Sequence, residues 1–190
     1  MQDISIFLIE NFPSDMKALG ESKFKTPRCH DDKIPIIVLP ECVTNGISTF
    51  KDKKYLHIEF QSPEKSKFSN ITAWVQSLSD KPLYPLINDL NDEVFQMKVK
   101  LPDYFSIINT DGSETNYFHS SNGSTIKCAI ELPCVWETNT NIGISFQMVQ
   151  CKIIKNQQCL IQAMDEDPNY VPFKPIQSVP DRVQSSGSLV

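Results

Sequence analysis

Cysteine is the residue type in this sequence whose chemistry and spacing first invite a functional interpretation. Six cysteines occur, and two of them, Cys134 and Cys151, bracket a tryptophan and a run of alternating apolar residues. An even number of cysteines permits a disulfide framework. Six in 190 residues is nevertheless well below the roughly 8–10% of a disulfide scaffold. We therefore predict mostly reduced, buried cysteines that act as small apolar side chains.

Two short segments contain residue types that bind metal ions. Cys29 and His30 are both zinc ligand types, but adjacent residues of an extended segment point in opposite directions, and no CxxC, HxxxH or CxxH motif adds further ligands. The segment DEDPN at 165–169 matches the first three ligand positions of a calcium loop. Tyr170 then replaces the turn glycine and Ile176 the bidentate glutamate. We predict no metal site and no cofactor.

Motifs for catalysis and phosphate binding are missing from the sequence. There is no GxGxxG or GxxxxGK[ST] loop, and neither GxSxG nor HExxH occurs. Only three histidines are present, and no pair of carboxylates is specified by its spacing. We predict that the protein is not an enzyme and has no catalytic residues.

Apolar residues alternate with polar ones in several short segments, which is the period of a half-buried β-strand. The clearest segments are YLHIEF, NITAWVQSL, VFQMKVKL, STIKCAIEL and NIGISFQMVQCKII, and KIPIIVLP reads as an edge strand because prolines interrupt it. Helical spacing does not persist for three turns anywhere. The pattern predicts an all-β fold, an antiparallel β-sandwich of about 7–9 strands.

The last long segment changes the phase of its alternation. Its apolar residues occupy even-numbered positions from Ile142 to Met148 and odd-numbered positions from Val149 to Ile153. A shift of one residue moves every following side chain to the opposite face of a strand. We therefore predict a β-bulge, a bend or a strand buried on both faces near Met148 and Val149.

The organisation from VFQMKVKLPDYFS to SNGSTIKCAIEL resembles the strand–LP–loop–strand arrangement of arrestin-like sandwiches. An immunoglobulin-like sandwich is equally compatible, with Cys42, Trp74 and Cys128 as its Cys…Trp…Cys frame. We predict a single β-sandwich domain over 1–164. A proline-rich, polar tail follows over 165–190, and we expect it to be extended and partly disordered at its end, with Tyr170 and Phe173 as the candidate residues for packing on the domain.

The charge balance argues against nucleic acid as a partner. The net charge is −5 and the isoelectric point is near 5.2, although Lys23, Lys25 and Arg28 are close together, as are the lysines of 51–54. No stretch reaches the roughly 18–20 apolar residues of a membrane span. The N-terminal segment lacks the basic region of a signal peptide. We expect an intracellular protein, cytoplasmic or nuclear.

These features favour a non-enzymatic module that binds other proteins as an adaptor, scaffold or assembly subunit. Loops carry function on rigid sandwiches, and extended tails commonly add strands to partners or lie across them. The predicted contact residues are aromatic side chains of one long loop and of the tail: Tyr104, Phe105, Tyr117, Phe118, Tyr170 and Phe173.

Two alternatives stay open at this point. A secreted or cell-surface adhesion or receptor domain would carry disulfides, and glycans on the sequons at Asn70 and Asn122. A p53-like or immunoglobulin-like DNA-binding domain would bring the basic segments 23–28 and 51–54 together on one surface.

Overall fold

The computed structural model of the protein describes residues 4–20, 23–29, 32–115 and 122–155. Within these ranges the chain is mostly β-structure with two short helices. The strands are β1 (Ile4–Leu8), β2 (Lys17–Leu19), β3 (Phe24–Arg28), β4 (Ile34–Val38), β5 (Cys42–Phe50), β6 (Lys53–Gln61), β7 (Asn88–Asp89), β8 (Val94–Leu101), β9 (Ser106–Ile108), β10 (Glu114–Thr115), β11 (Thr125–Glu137) and β12 (Ile142–Lys155). The helices, α1 (Ser62–Lys65) and α2 (Ser69–Gln76), lie between β6 and β7.

The strands β5, β6, β8, β12 and β11 close into a barrel. β5, β6 and β8 form an antiparallel meander, and β8 then pairs in parallel with β12 at Lys100 and Gln147. β12 runs antiparallel to β11, which returns to β5 through Thr125 and Ile126. Counted along the chain, the order around the barrel is first, second, third, fifth, fourth. This is the order of a five-stranded Greek-key barrel of the OB type.

The all-β prediction is confirmed, whereas the antiparallel sandwich, immunoglobulin-like or arrestin-like, is not. The barrel belongs to one mixed sheet that contains parallel and antiparallel pairs. Alternation along a strand shows that one face is buried, but it does not say whether a second sheet or the same sheet covers that face. Here β11 and β12 have 13 and 14 residues. They are long enough to pair with each other and also with β5 and β8 respectively, so the same sheet closes over its own buried face.

The segment NITAWVQSL forms α2, so its assignment as a strand was wrong. Ile71, Trp74 and Val75 are buried in one stripe with the spacing of three and four that marks a helix. Ile71, Ala73 and Val75 of the same segment also fit an alternation, because a short apolar run can satisfy both periods. The indole Nε1 of Trp74 donates a hydrogen bond to the Met16 carbonyl at 2.9 Å. Since Trp74 lies in a helix, the proposed Cys…Trp…Cys frame does not exist.

The predicted break in the last strand is confirmed as a β-bulge at Val149. Ala129 of β11 is paired with Gln150, and the next residue, Ile130, is paired with Met148. Val149 is therefore an extra residue of β12, and the strand shifts its phase there. As a result Cys151, which follows the bulge, is as fully buried as the residues before it.

Four further strands extend the sheet beyond the barrel on the β11 side. β4 pairs in parallel with β1 and antiparallel with β11, so KIPIIVLP is an interior strand and its prediction as an edge strand was wrong. Pro35 has no amide hydrogen to donate, yet it lies in register with Ser5 of β1 within this pairing. The β2–β3 hairpin pairs with the end of β11. In the described part of the chain, no helix is both long and apolar enough to cross a membrane.

Aromatic side chains fill one end of the barrel interior. Phe60 of β6 stacks on Phe95 of β8 with ring centroids 5.2 Å apart, and Phe68 meets both rings edge-on at 5.7 and 5.9 Å. All three side chains are almost fully buried. Aromatic pairs in this geometry contribute about 0.5–1.5 kcal/mol beyond the burial of their area. This cluster therefore packs the segment between α1 and α2 against the barrel strands β6 and β8.

The cysteines of the described ranges carry thiols rather than disulfides, as predicted, and four of the five are buried. Cys128 and Cys151 face each other across β11 and β12. Burial raises the pKa of the Cys151 thiol to about 12. A hydrogen bond with Cys42, together with burial, raises the pKa of Cys128. These groups are therefore protonated and unreactive at neutral pH.

We expect Phe95→Ala to lower the free energy of unfolding by about 3–5 kcal/mol, because it opens a cavity against two buried rings. Urea unfolding would measure this loss as a lower midpoint at an unchanged slope. The matched control is Phe50→Ala, whose ring is 63% exposed and whose removal should change stability by no more than about 0.5 kcal/mol. Equal effects of the two substitutions would contradict the described packing.

The raised pKa of Cys151 predicts a loss of stability at high pH. Above its ordinary pKa near 9 the unfolded chain releases the thiol proton, whereas the folded protein keeps it up to about 12. The Cys151 contribution to the free energy of unfolding is therefore constant well below pH 9. It falls as the pH rises from there, by up to about 1.4 kcal/mol per pH unit. Denaturation curves across this range should show a shallower decline for Cys151→Ala. A decline as steep as that of the parent protein would refute this assignment.

Candidate functional site

A groove of about 710 Å³ crosses the outer face of the barrel. Its walls come from the β5–β6 turn, from the outer faces of β6 and β8, from the β11–β12 ribbon and from segment 84–88. The lining of this barrel groove includes five aromatic residues, of which Phe146 is buried, and three lysines: Phe50, Tyr55, Tyr84, Trp136, Phe146, Lys53, Lys98 and Lys100. It therefore combines flat apolar surfaces with positive charge.

The lysines reach the barrel groove because of strand alternation and a tight turn. Lys98 and Lys100 alternate along β8 with residues whose side chains fill the barrel, so both ammonium groups lie on the outer face. The β5–β6 hairpin turns through Lys51 and Asp52, which both have positive φ, at 47° and 62°. A two-residue turn of this kind places Phe50 and Lys53 directly opposite each other at the groove.

The electrostatic environment of the barrel groove is positive although the whole chain is acidic. Among the described residues, none of the side chains that line it is a carboxylate. The Lys100 ammonium donates to Gln147 Oε1 at 2.8 Å, and Gln147 Nε2 donates in turn to Glu131 Oε1 at 2.6 Å. Lys100 is thus held in place by a neutral amide and keeps its charge available to an anion.

The indole of Trp136 lies flat against the backbone of the neighbouring strand. Trp136 is paired with Gly143 across the β11–β12 ribbon. A Cβ atom placed on Gly143 would overlap the six-membered ring of the indole, so only glycine permits this close approach. The glycine therefore fixes the position of an aromatic ring at the groove wall.

Tyr84 completes this wall through backbone pairing. The Tyr84 amide donates to the Ile142 carbonyl at 2.7 Å, and the Ile142 amide donates to the Pro82 carbonyl at 3.1 Å. These bonds attach the segment to the beginning of β12. The Tyr84 ring consequently lies 5.4 Å from the Trp136 ring at an angle of 59°. Two tilted aromatic rings thus form one side of the barrel groove.

A row of polar side chains continues along the outer face from the groove. Ser48 Oγ and His57 Nε2 are 2.7 Å apart, and His57 Nδ1 lies 3.0 Å from Gln96 Oε1. Gln96 Nε2 donates to Glu59 at 3.5 Å, and Glu59 also accepts a hydrogen bond from Asn45. Both ring nitrogens of His57 are engaged, which fixes the orientation of the imidazole.

Of the six aromatic residues predicted as contacts, Tyr104 and Phe105 lie in the described ranges. Tyr104 is 82% exposed in the turn after β8, whereas Phe105 is partly buried and packs against the core. Neither lines the barrel groove. Tyr117, Phe118, Tyr170 and Phe173 lie outside the described residues, as does the whole predicted tail.

Sequence reasoning missed the barrel groove because its members come from distant segments. Lys98 and Lys100 were assigned only to the polar face of a strand, and Trp136 only to the interval between two cysteines. One usable signal was the positively charged pair on the polar face of VFQMKVKL. The basic segment 51–54 does contribute to the groove through Lys53.

We expect Gly143→Ala to displace the Trp136 indole, because the added methyl group occupies the position of the ring. The chain has two tryptophans, and Trp74 is buried, so a change in accessibility to acrylamide would report Trp136. Fluorescence quenching should increase in the variant. The control is Ser145→Ala, two residues along the same strand, which should leave the quenching unchanged. Unchanged quenching of Gly143→Ala would contradict the flat packing of the indole.

Comparison with known proteins finds related folds but no related sequence. No family model matches the chain, and no curated protein matches it. The structure of gp2.5, a single-stranded DNA binding protein encoded by bacteriophage T7, is similar with a TM-score of 0.51 at 10% identity, over 73% of this chain and 98% of that protein. The single-stranded DNA-binding protein from bacteriophage Enc34 is similar with a TM-score of 0.50 at 10% identity, over 76% and 92%. Its complex with single-stranded DNA gives 0.50 at 9% identity, over 77% and 98%. These likenesses show a shared fold.

Two expectations about function are corrected by these findings. The interpretation as a protein-binding adaptor, scaffold or assembly subunit is wrong, because the solved proteins that share the fold are single-stranded DNA-binding proteins. The argument against a nucleic-acid partner was also wrong. Its physical error was to use the net charge, which sums over the whole chain and hides three lysines that converge in a groove lined by no described carboxylate.

Proposed function

We propose that this protein binds single-stranded nucleic acid in the barrel groove and does so without catalysing a reaction. The observation that carries the proposal is that five aromatic residues and three lysines line one groove. Aromatic platforms and a positively charged channel are the two components of sequence-tolerant single-strand binding. The likeness of the fold to single-stranded DNA-binding proteins of two bacteriophages supports the same reading.

The position of the barrel groove on the fold supports the proposal independently. OB barrels bind oligonucleotides on the face of their second and third strands and through the loops that join strands one to two and four to five. Here those strands are β6 and β8, and those loops join β5 to β6 and β11 to β12. Phe50 and Lys53 flank the first loop, and Trp136 comes just before the second.

The geometry favours single strands over duplexes. Tyr84 and Trp136 present ring faces on which a base can stack only if the base is unpaired and splayed away from its neighbours. In a duplex the base faces are covered by adjacent base pairs, so only the lysines would make contact. The aromatic wall thus supplies the preference for single strands, and the lysines supply affinity that depends on salt. Because nucleic acid is found inside cells, we also propose that the protein is intracellular.

Equilibrium binding of a fluorescently labelled oligodeoxythymidylate tests the proposal. The oligonucleotide should be longer than the roughly 4–16 nucleotides that one OB barrel covers. We expect binding at low salt, weaker binding to a duplex of equal length, and about tenfold weaker single-strand binding by Trp136→Ala. Lys98→Gln should reduce the dependence of log K on log salt by about 0.7.

Matched controls lie outside the barrel groove. Tyr104→Ala removes an exposed aromatic ring, and Lys127→Gln removes an exposed charge from the far end of β11. Both variants should bind as the parent protein does. The proposal is refuted if the parent protein shows no binding at low salt, or if it binds duplex as well as single strands.

A further inference from the structure

The β2–β3 hairpin is attached to β11 beside the aromatic wall of the barrel groove. Phe24 of β3 is paired with Trp136, and Lys25 with Val135. The Glu137 amide donates to the Lys23 carbonyl at 2.8 Å and continues this attachment beyond the strand pair. Directly opposed residues of an antiparallel pair have Cα atoms about 4.5–5.5 Å apart and side chains on the same face. Phe24 therefore stands next to Trp136 on the outer face, outside the lining of the groove.

Alternation along the hairpin produces one solvent-facing row that starts at Phe24. On β3, Phe24, Thr26 and Arg28 share this face, whereas Pro27 is buried on the other. On β2, Leu19 is paired with Thr26, so it lies on the same face. Phe24 is 66% exposed and Leu19 is 48% exposed. The row thus presents apolar surface directly beyond the wall of the barrel groove.

Positive charge lies at the far end of this row. Lys17 of β2 is paired with Arg28 of β3, so the two cationic side chains lie on the same face of the hairpin, and the Arg28 guanidinium also donates to the Pro27 carbonyl at 3.0 Å. Phe24 to Arg28 spans about 13 Å at roughly 3.3 Å per residue. Among the described residues of this hairpin face, none is acidic. The nearest carboxylate along the chain from Trp136, that of Glu137, is neutralised by Lys81 at 2.6 Å.

We propose that the path of the bound single strand continues from the barrel groove over Trp136 onto this hairpin face. In this arrangement Phe24 is a further stacking platform, and Lys17 with Arg28 binds backbone phosphates at the end of the path. The inference rests on the proposed function, since it extends the same site. The hairpin face has the same combination of aromatic surface and positive charge as the barrel groove. A stacking role for Phe24 would explain why this phenylalanine is exposed beside the groove.

Oligodeoxythymidylates of two lengths separate the hairpin from the barrel groove. A short one, of roughly four nucleotides, fills the groove alone, whereas a longer one, of about 12, also reaches the hairpin. We expect Phe24→Ala to weaken binding of the long oligonucleotide about tenfold and to leave the short one unchanged. Arg28→Gln should reduce the salt dependence by about 0.7 for the long oligonucleotide only.

Three further variants make the outcomes distinguishable. Phe24→Tyr keeps a ring and should bind both oligonucleotides as the parent protein does. Trp136→Ala should weaken both, and Lys127→Gln should weaken neither. If Phe24→Ala and Arg28→Gln bind the long oligonucleotide normally while Trp136→Ala does not, the hairpin is not part of the path and the proposed function stands. If the parent protein binds neither oligonucleotide, the proposed function fails and the extension fails with it.

Discussion

The rest of the structure depends on the pairing of β11 with β12. This ribbon alone makes the barrel closed, because β11 continues to β5 and β12 continues to β8. It also carries the strands outside the barrel, since β3 and β4 both pair with β11. The bulge at Val149 lets β12 follow that path while it keeps apolar side chains on the inner face over its whole length. A long strand pair with three register shifts, one of them at Val149, thus closes one sheet into a barrel where a sandwich uses two sheets.

Local charge, not total charge, decides what this surface can bind. The chain has 23 acidic and 18 basic residues, yet its barrel groove contains three lysines and, among the described residues, no carboxylate. Carboxylates near this face are matched by specific partners. Glu131 accepts from Gln147, Glu59 from Asn45 and Gln96, and Glu137 pairs with Lys81. The net charge of the chain therefore does not describe the charge that this groove presents to a ligand.

Sequence patterns predicted strands well and the architecture poorly. The alternation around Met97 and around Ile130 marks real strands, and the phase change at Val149 marks a real bulge, because both depend on neighbouring residues along one strand. The closure of the barrel and the assembly of its groove depend on which strands are neighbours, and no local period encodes that. Trp136 meets Tyr84 through a backbone pairing of segments more than fifty residues apart. The helix α2 was missed for a different reason, since five residues from Ile71 to Val75 satisfy two periods at once.

The Lys100 ammonium group both bridges β8 to β12 and lines the barrel groove. β8 and β12 meet at a single backbone pair, Lys100 with Gln147, and the side chains of the same two residues bridge this seam. The ammonium group that helps to hold the seam also lines the barrel groove. An anion that binds this ammonium group competes with Gln147 Oε1 for the same donor. Binding of an anion in the groove and the side-chain bridge between β8 and β12 therefore depend on one hydrogen-bond donor, so a change in one affects the other.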